Sequence, residues 1–182
     1  ELEAAQVLNG DAFAHDLVAD AVRRSVPRPI ARRLHAGIAE ALESRDAAPA
    51  AVAQHWLAAG ETARACPALR GAIAQATATS RHLEAAAMCG ELARALTDSG
   101  DDAGAWEARL QQFDQLIGVD LGETIDTVLR DLVAEATDAR RHALASEAQA
   151  RLALARLDND KAAGAARDAI DAAQRAGVPE IE

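Results

Sequence analysis

Apolar residues in this chain recur at helical spacing, one stretch after another, and alanine fills most positions between them. Ile30, Leu34, Ile38 and Leu42 fall four apart and make one stripe on a helix. Trp106, Leu110, Phe113 and Ile117 recur at i, i+4, i+7 and i+11, and Ile125, Val128, Leu129, Leu132, Val133 and Ala136 continue the pattern. Alanine supplies 49 of the 182 residues. It is the best helix former, and its small side chain lets helices approach closely. Aromatics are 2% with no tyrosine, and alternating β-branched runs are almost absent. The pattern predicts an all-α chain of about nine or ten helices, without a substantial sheet.

The stops are as regular as the stripes. Pro27 and Pro29 break the chain between a first helix, carrying Leu17, Val18, Ala21, Val22 and Val26, and the helix of the Ile30 stripe. Those two are expected to pack as a bent hairpin. Asn9-Gly10 is a turn signal, and Ala12-Phe13-Ala14 reads as one short extended segment. After a loop over 44–49, a helix over 50–59 stops at Gly60. The next begins at Glu61-Thr62, with Ala65, Leu69, Ala72, Ile73 and Ala76 on one face and Pro67 near its first turn, and it weakens over 77–81. A helix over 83–96 shows Ala85, Cys89, Leu92 and Leu96, then Ser99-Gly100. A long helix over 141–157 is apolar on two sides, which predicts a sandwiched position. Asp158-Asn159-Asp160 makes the turn to a last helix with Ala162, Ala166, Ala169, Ile170 and Ala173, ended by Gly177 and Pro179.

The formal net charge is −10, which disfavours a general nucleic-acid surface. The distribution is uneven. Arg23, Arg24, Arg28, Arg32 and Arg33 have no acid among them, whereas 101–138 is acidic with Arg109 and Arg130 as its bases. Solvated helix faces account for both. The alternative for the arginines is docking of a neighbouring domain, or contact with DNA phosphate. Docking fits an acidic chain better.

No reactive constellation stands out. There is no Walker A loop, GxGxxG, HExxH or GxSxG. His35 and His55 lie on separate helices without metal-ligand spacing and read as packing or surface residues; His82 and His142 start helices and read as exposed. Asp98, Asp101 and Asp102 lack EF-hand order. Cys66 and Cys89 read as buried small hydrophobes, and no disulfide framework is implied, so the cytoplasm is the default location. No apolar run is long enough to span a bilayer, and there is no signal peptide. The chain opens at Glu1 without a methionine, and its end carries no terminus signal; it reads as a piece of a larger protein. No catalytic residue and no metal site is expected.

Helix pairs joined by short Gly or Asp turns imply an α-solenoid. Ala65/Leu69/Ala72 after Gly60-Glu61 resembles the second helix of a tetratricopeptide repeat, with Ala53 and Trp56 in first-helix places; Ala162/Ala166/Ala169 and Ala85/Cys89/Leu92 are looser matches. Phe13-Ala14-His15-Asp16-Leu17-Val18, Arg32-Arg33-Leu34-His35 and Ala53-Gln54-His55-Trp56-Leu57 together resemble the junction in bacterial STAND-type ATPase regulators. There the chain leaves the ATPase core, passes a winged-helix-like module and enters a tetratricopeptide array. The likeness covers 13–96. It implies a right-handed α-solenoid over 46–182, preceded by a small winged-helix-like module over 1–45.

The resemblance also implies a function. The chain is expected to be a non-catalytic interaction and effector-sensing module of a cytoplasmic transcriptional or signalling regulator. Its partners would be a protein or small effector and the ATPase core of the same polypeptide. It would hold no cofactor itself, while ATP or ADP would bind that core. His15 and Asp16 resemble a His-Asp pair that touches the nucleotide β-phosphate in related switch ATPases. In such arrays the concave face comes from first helices, which makes Trp56, Trp106 and the 141–157 helix the expected partner surface. A winged-helix DNA-binding module with a helical tail is the alternative, contacting phosphate through Arg23, Arg24, Arg32 and Arg33.

Overall fold

The computed structural model describes residues 8, 9, 12, 13, 21 and 24–176. His15, Asp16 and Arg23 lie outside the described residues, as do Leu17, Val18, Val22, Gly177 and Pro179. Two short strands, β1 (Leu8–Asn9) and β2 (Ala12–Phe13), pair antiparallel with Leu8 opposite Phe13. The extended segment expected at Ala12-Phe13 is thus one arm of a small ladder. Eight helices follow among the described residues: α1 (Arg28–Glu43), α2 (Pro49–Ala59), α3 (Thr62–Ala78), α4 (His82–Asp98), α5 (Asp102–Leu116), α6 (Glu123–Ala134), α7 (Ala139–Ala155) and α8 (Asn159–Ala176). Each packs chiefly on the helix before and the helix after it, as in a repeat array. The expected boundary near residue 45 falls in the α1–α2 turn, and α1 packs on α2 across it.

Local sequence explains the elements. Pro27 precedes α1 and Pro49 opens α2, at helix starts that do not need a proline N–H. Asp101 and Asp138 cap α5 and α7, accepting bonds from the backbone N–H of Gly104 and Arg141. Pro67 sits inside α3 rather than in its first turn, since that helix starts at Thr62.

The helix stops reveal a period that the sequence did not advertise. Gly60, Ser80 and Gly100 are spaced 20 apart, and all three have positive φ, 80°, 57° and 81°. After each, the next N–H turns back to a carbonyl in the last turn: Glu61 to Trp56, Arg81 to Ala76 and Asp101 to Leu96. Ala65, Ala85, Ala105, Ile125 and Ala145 keep the same spacing, and none exceeds 3% exposure. A buried residue, alanine in four cases, thus recurs near the start of successive helices. The helix is therefore the unit of repetition here, and two steps, from Gly60 to Gly100, take 40 residues. A tetratricopeptide pair takes about 34. Ala65/Leu69/Ala72 and Ala85/Cys89/Leu92 are equivalent positions of consecutive helices, not of successive second helices.

Left-handed backbone at Gly60 yields a direct prediction. Gly60→Ala puts a Cβ on a residue with φ 80°, about 3.6 Å from the Arg32 guanidinium carbon. The strain is expected to cost about 1 kcal/mol, read as a lower urea midpoint, with Gly60→Asn costing less.

The core is a string of clusters. Trp56, Ala39, Val52, Ala59 and Ala65 join α1, α2 and α3. Cys66, Leu69, Ile73, Cys89, Leu92 and Leu96 belong to the central cluster of α2–α5. Trp106, Phe113, Ile125, Leu132 and Leu152 belong to the third, spanning α4–α7. Ala143, Ala172 and Ala173 form the buried cluster that seats α8 on α7. The sandwiched position expected of 141–157 holds for the face of α7 with Ala148 and Leu152, but Leu154 remains 56% exposed.

Candidate interaction surface

Two tryptophans pin three helices each. The Trp56 ring on α2 is fully buried, and its Nε1 donates to Glu43 Oε1 on α1 at 2.7 Å. Arg64 of α3 lies over the ring, 3.5 Å from its centre, and reaches Glu40 at 3.0 Å and Glu43 at 3.3 Å. The Trp106 ring on α5 is 2% exposed, and its Nε1 donates to the Leu132 carbonyl on α6 at 3.1 Å. Arg141 of α7 lies 5.4 Å from that ring. Neither ring is a surface that a partner can grip. The expectation for Trp56 and Trp106 is corrected: they fill the joints between helices, because burying a large aromatic is worth more than any exposed contact.

Exposed ion pairs link helices, and one of them joins two that are not sequence neighbours. Arg151 of α7 bonds Asp114 of α5 at 2.7 Å. Arg109 of α5 reaches Glu135, just past α6, at 2.6 Å. Arg156 bonds Asp126 of α6 at 2.7 Å and the Leu121 carbonyl at 2.7 Å. The hydrogen bond from Arg156 holds the Asp126 carboxyl below the usual range. These pairs are solvated and set helix orientation more than stability.

The surface that stands out is the outer side of α1. Ile30, Leu34 and Ile38 are 53%, 57% and 43% exposed. With Arg33, Gly37 and Ala41 they line a shallow groove. α1 meets α2 instead through Ala39, Ala36 and Leu42, on its other side. The stripe expected to pack on a hairpin partner is thus not covered by any described residue. Arg28, Arg32 and Arg33 are exposed on the same helix and make no ion pair with any described residue; Arg24 is exposed just ahead of it. The opposite end of the stack differs. α8 buries Ala162, Ala169, Ala172 and Ala173 and exposes Asp160, Arg167, Asp171 and Gln174. Among the described residues α8 exposes one large apolar side chain, Ile170 at 56%, amid polar ones, whereas α1 exposes a stripe of three.

Among the described residues no charged or polar side chain is buried, and no three metal-ligating groups converge. Cys66 packs in the central core, as expected of a buried small hydrophobe. His82, expected exposed, is half-buried, with Nδ1 2.9 Å from Gln115 Oε1. Burial, and then the nearby Asp114 charge, push the Cys89 thiol up to about 12. A thiol held that far above ordinary cysteine is a poor nucleophile. Its alkylation at pH 8 is expected to be about 1,000-fold slower than that of the urea-unfolded chain, measured by mass spectrometry of the modified peptide.

One pairing escaped the sequence. His35 on α1 and His55 on α2 face each other, with their Nδ1 atoms 2.9 Å apart and ring centres 5.1 Å apart. The signal was available only after the helices were aligned, since the two lie 20 positions apart. Comparison with family models, curated proteins and solved structures gives no match for this chain.

Proposed function

We propose that the chain is a non-catalytic interaction and effector-sensing module of a larger cytoplasmic ATPase-type transcriptional or signalling regulator. The observation that supports it most is the contrast between α1 and α8: a stripe of three exposed apolar side chains on α1, and one, Ile170, among polar residues on α8. A stripe of this kind suits continuation of the stack on the side of α1. The resemblance of 13–96 to the junction of STAND-type regulators supports the same direction, because there the ATPase core precedes the array. The repeats then belong to a right-handed superhelix of tetratricopeptide-like kind with a longer helical step. Among the described residues no helix is long and apolar enough to cross a membrane. ATP or ADP belongs to the attached core and not to this chain.

The mechanism is population shift. An effector on the repeat surface biases the attached core only if it binds one of two states better. The arginine-bearing α1 and its open stripe transmit the bias by docking that core. His15 and Asp16 contribute at the nucleotide, holding the ADP state closed. The test begins upstream. A phosphate-binding loop preceding Glu1 in the same reading frame is expected. With it in place, His15→Ala in the full-length protein should release ADP about tenfold faster, a loss on the order of one charge-assisted hydrogen bond. Absence of that loop, or unaltered release, removes the nucleotide-sensing part of the reading.

Exposed arginines favour one second reading, a DNA-contacting module. Arg24, Arg28, Arg32 and Arg33 lie on or beside a helix that follows a small antiparallel ladder. Duplex binding that falls steeply with salt, and vanishes when Arg23, Arg24, Arg32 and Arg33 are neutralised, would select it.

A further inference from the structure

We propose that His35 and His55 form a two-imidazole chelate for a divalent transition-metal ion of the copper(II) or nickel(II) class, bridging α1 and α2. The inference does not depend on the regulator reading. Imidazole nitrogens bind such ions at about 2.0–2.1 Å. Two donors at that distance from one ion and 2.9 Å from each other subtend an angle of about 90° at the ion. A tetrahedral ion would hold them about 3.3 Å apart. The separation therefore suits tetragonal and octahedral ions, which favour nitrogen ligands in the copper and nickel range.

The rest of the site agrees with that reading. Both histidines are half-buried, so water can fill the remaining coordination positions. Each stands on a helix fixed nearby by the Ala39–Trp56 core contact, so a turn of the two rings, which now meet almost head-on, is the movement that brings both nitrogens to one ion. In the ion-free state the 2.9 Å contact is an N–H···N bond with one shared proton, one ring donating and the other accepting. The ion takes the place of that proton, which passes by way of solvent to Nε2 of the same ring, so both imidazoles bind in the neutral form with no net release. Two charged groups near the joint modulate affinity. Arg32, one turn before His35 and packed by Gly60, weakens it; Glu43, beyond Ala39 on the same helix, opposes that effect. α2 carries no other charged residue, and Arg64 of α3 is neutralised by Glu40 and Glu43.

Chelator-treated full chain titrated with copper(II) tests the proposal. One ion per chain is expected, with a tetragonal electron paramagnetic resonance spectrum showing coupling to two nitrogens. His35→Gln and His55→Gln should each weaken binding by about 10-fold or more, whereas His82→Gln and His142→Gln should leave it unchanged. A second measurement needs no variant: at substoichiometric copper the imidazole resonances of His35 and His55 should broaden before those of His15, His82 and His142. Binding retained in the double variant, absence of stoichiometric binding, or earlier broadening at another histidine would overturn it.

Discussion

Trp106→Ala is expected to lower the free energy of unfolding by about 3–5 kcal/mol, against a total of about 5–15 kcal/mol for an ordinary domain. The ring is 2% exposed and belongs to one cluster with Phe113, Leu116, Ile125, Val128 and Leu152. Its removal leaves a cavity that alanine cannot fill, and backbone held by flanking helices collapses only in part. A second loss adds to the first, because the Leu132 carbonyl of α6 loses the indole N–H. α6 packs less extensively on its neighbours than any other helix does, so Trp106 is its main anchor. The effect should therefore be local first. Hydrogen exchange should speed up over 123–134 before it changes over 49–98. Trp106→Phe separates the causes: it keeps most of the volume and forfeits the bond, and should cost about 1–3 kcal/mol. Uniform loss of protection along the chain would show that the joint is not where the stability resides.

Leu34→Glu carries the opposite signature. Leu34 is 57% exposed on the outer side of α1, so the urea midpoint of the isolated chain should correspond to a change within about 0.5 kcal/mol. In the full-length protein the same charge would lie in the docked interface. An unpaired carboxylate there costs several kcal/mol, enough to lower the effector response about tenfold or more, read as effector-dependent nucleotide hydrolysis. Ile38→Glu should behave alike, and Ala63→Glu, on an exposed position of α3, should do neither. A large fall in the isolated chain's midpoint would mean that this chain covers the stripe itself, and the docking role would fail.

Much of the fold was legible because local signals agreed. Gly60 ends α2, Ser99-Gly100 closes α4, and the Trp106–Phe113 spacing marks a buried face, each a consequence of one helix considered alone. The repeat was legible only in part. A search for paired helices finds irregular matches, whereas the actual unit is a single helix whose conserved feature is position, not chemistry. Ala65, Ile125 and Ala145 occupy equivalent places without forming a motif. The site was least legible. Helical spacing says that a tryptophan faces inward or outward only relative to neighbours not yet placed, so Trp56 and Trp106 read as surface from expectations about first helices. The His35–His55 contact needed the register between α1 and α2, which depends on Ala39 meeting Trp56.

The unlike ends of the stack govern what happens when copies crowd together. Growth into a filament requires that one extremity of a molecule fit the other extremity of the next. Leucine and isoleucine on α1 find no matching socket among Asp160, Arg167, Asp171 and Gln174 of α8. Threading head to tail is therefore unfavourable. Among the described residues α8 offers one exposed large apolar side chain, Ile170, so self-association through the three-residue stripe of α1 favours a closed two-fold pair over a head-to-tail chain.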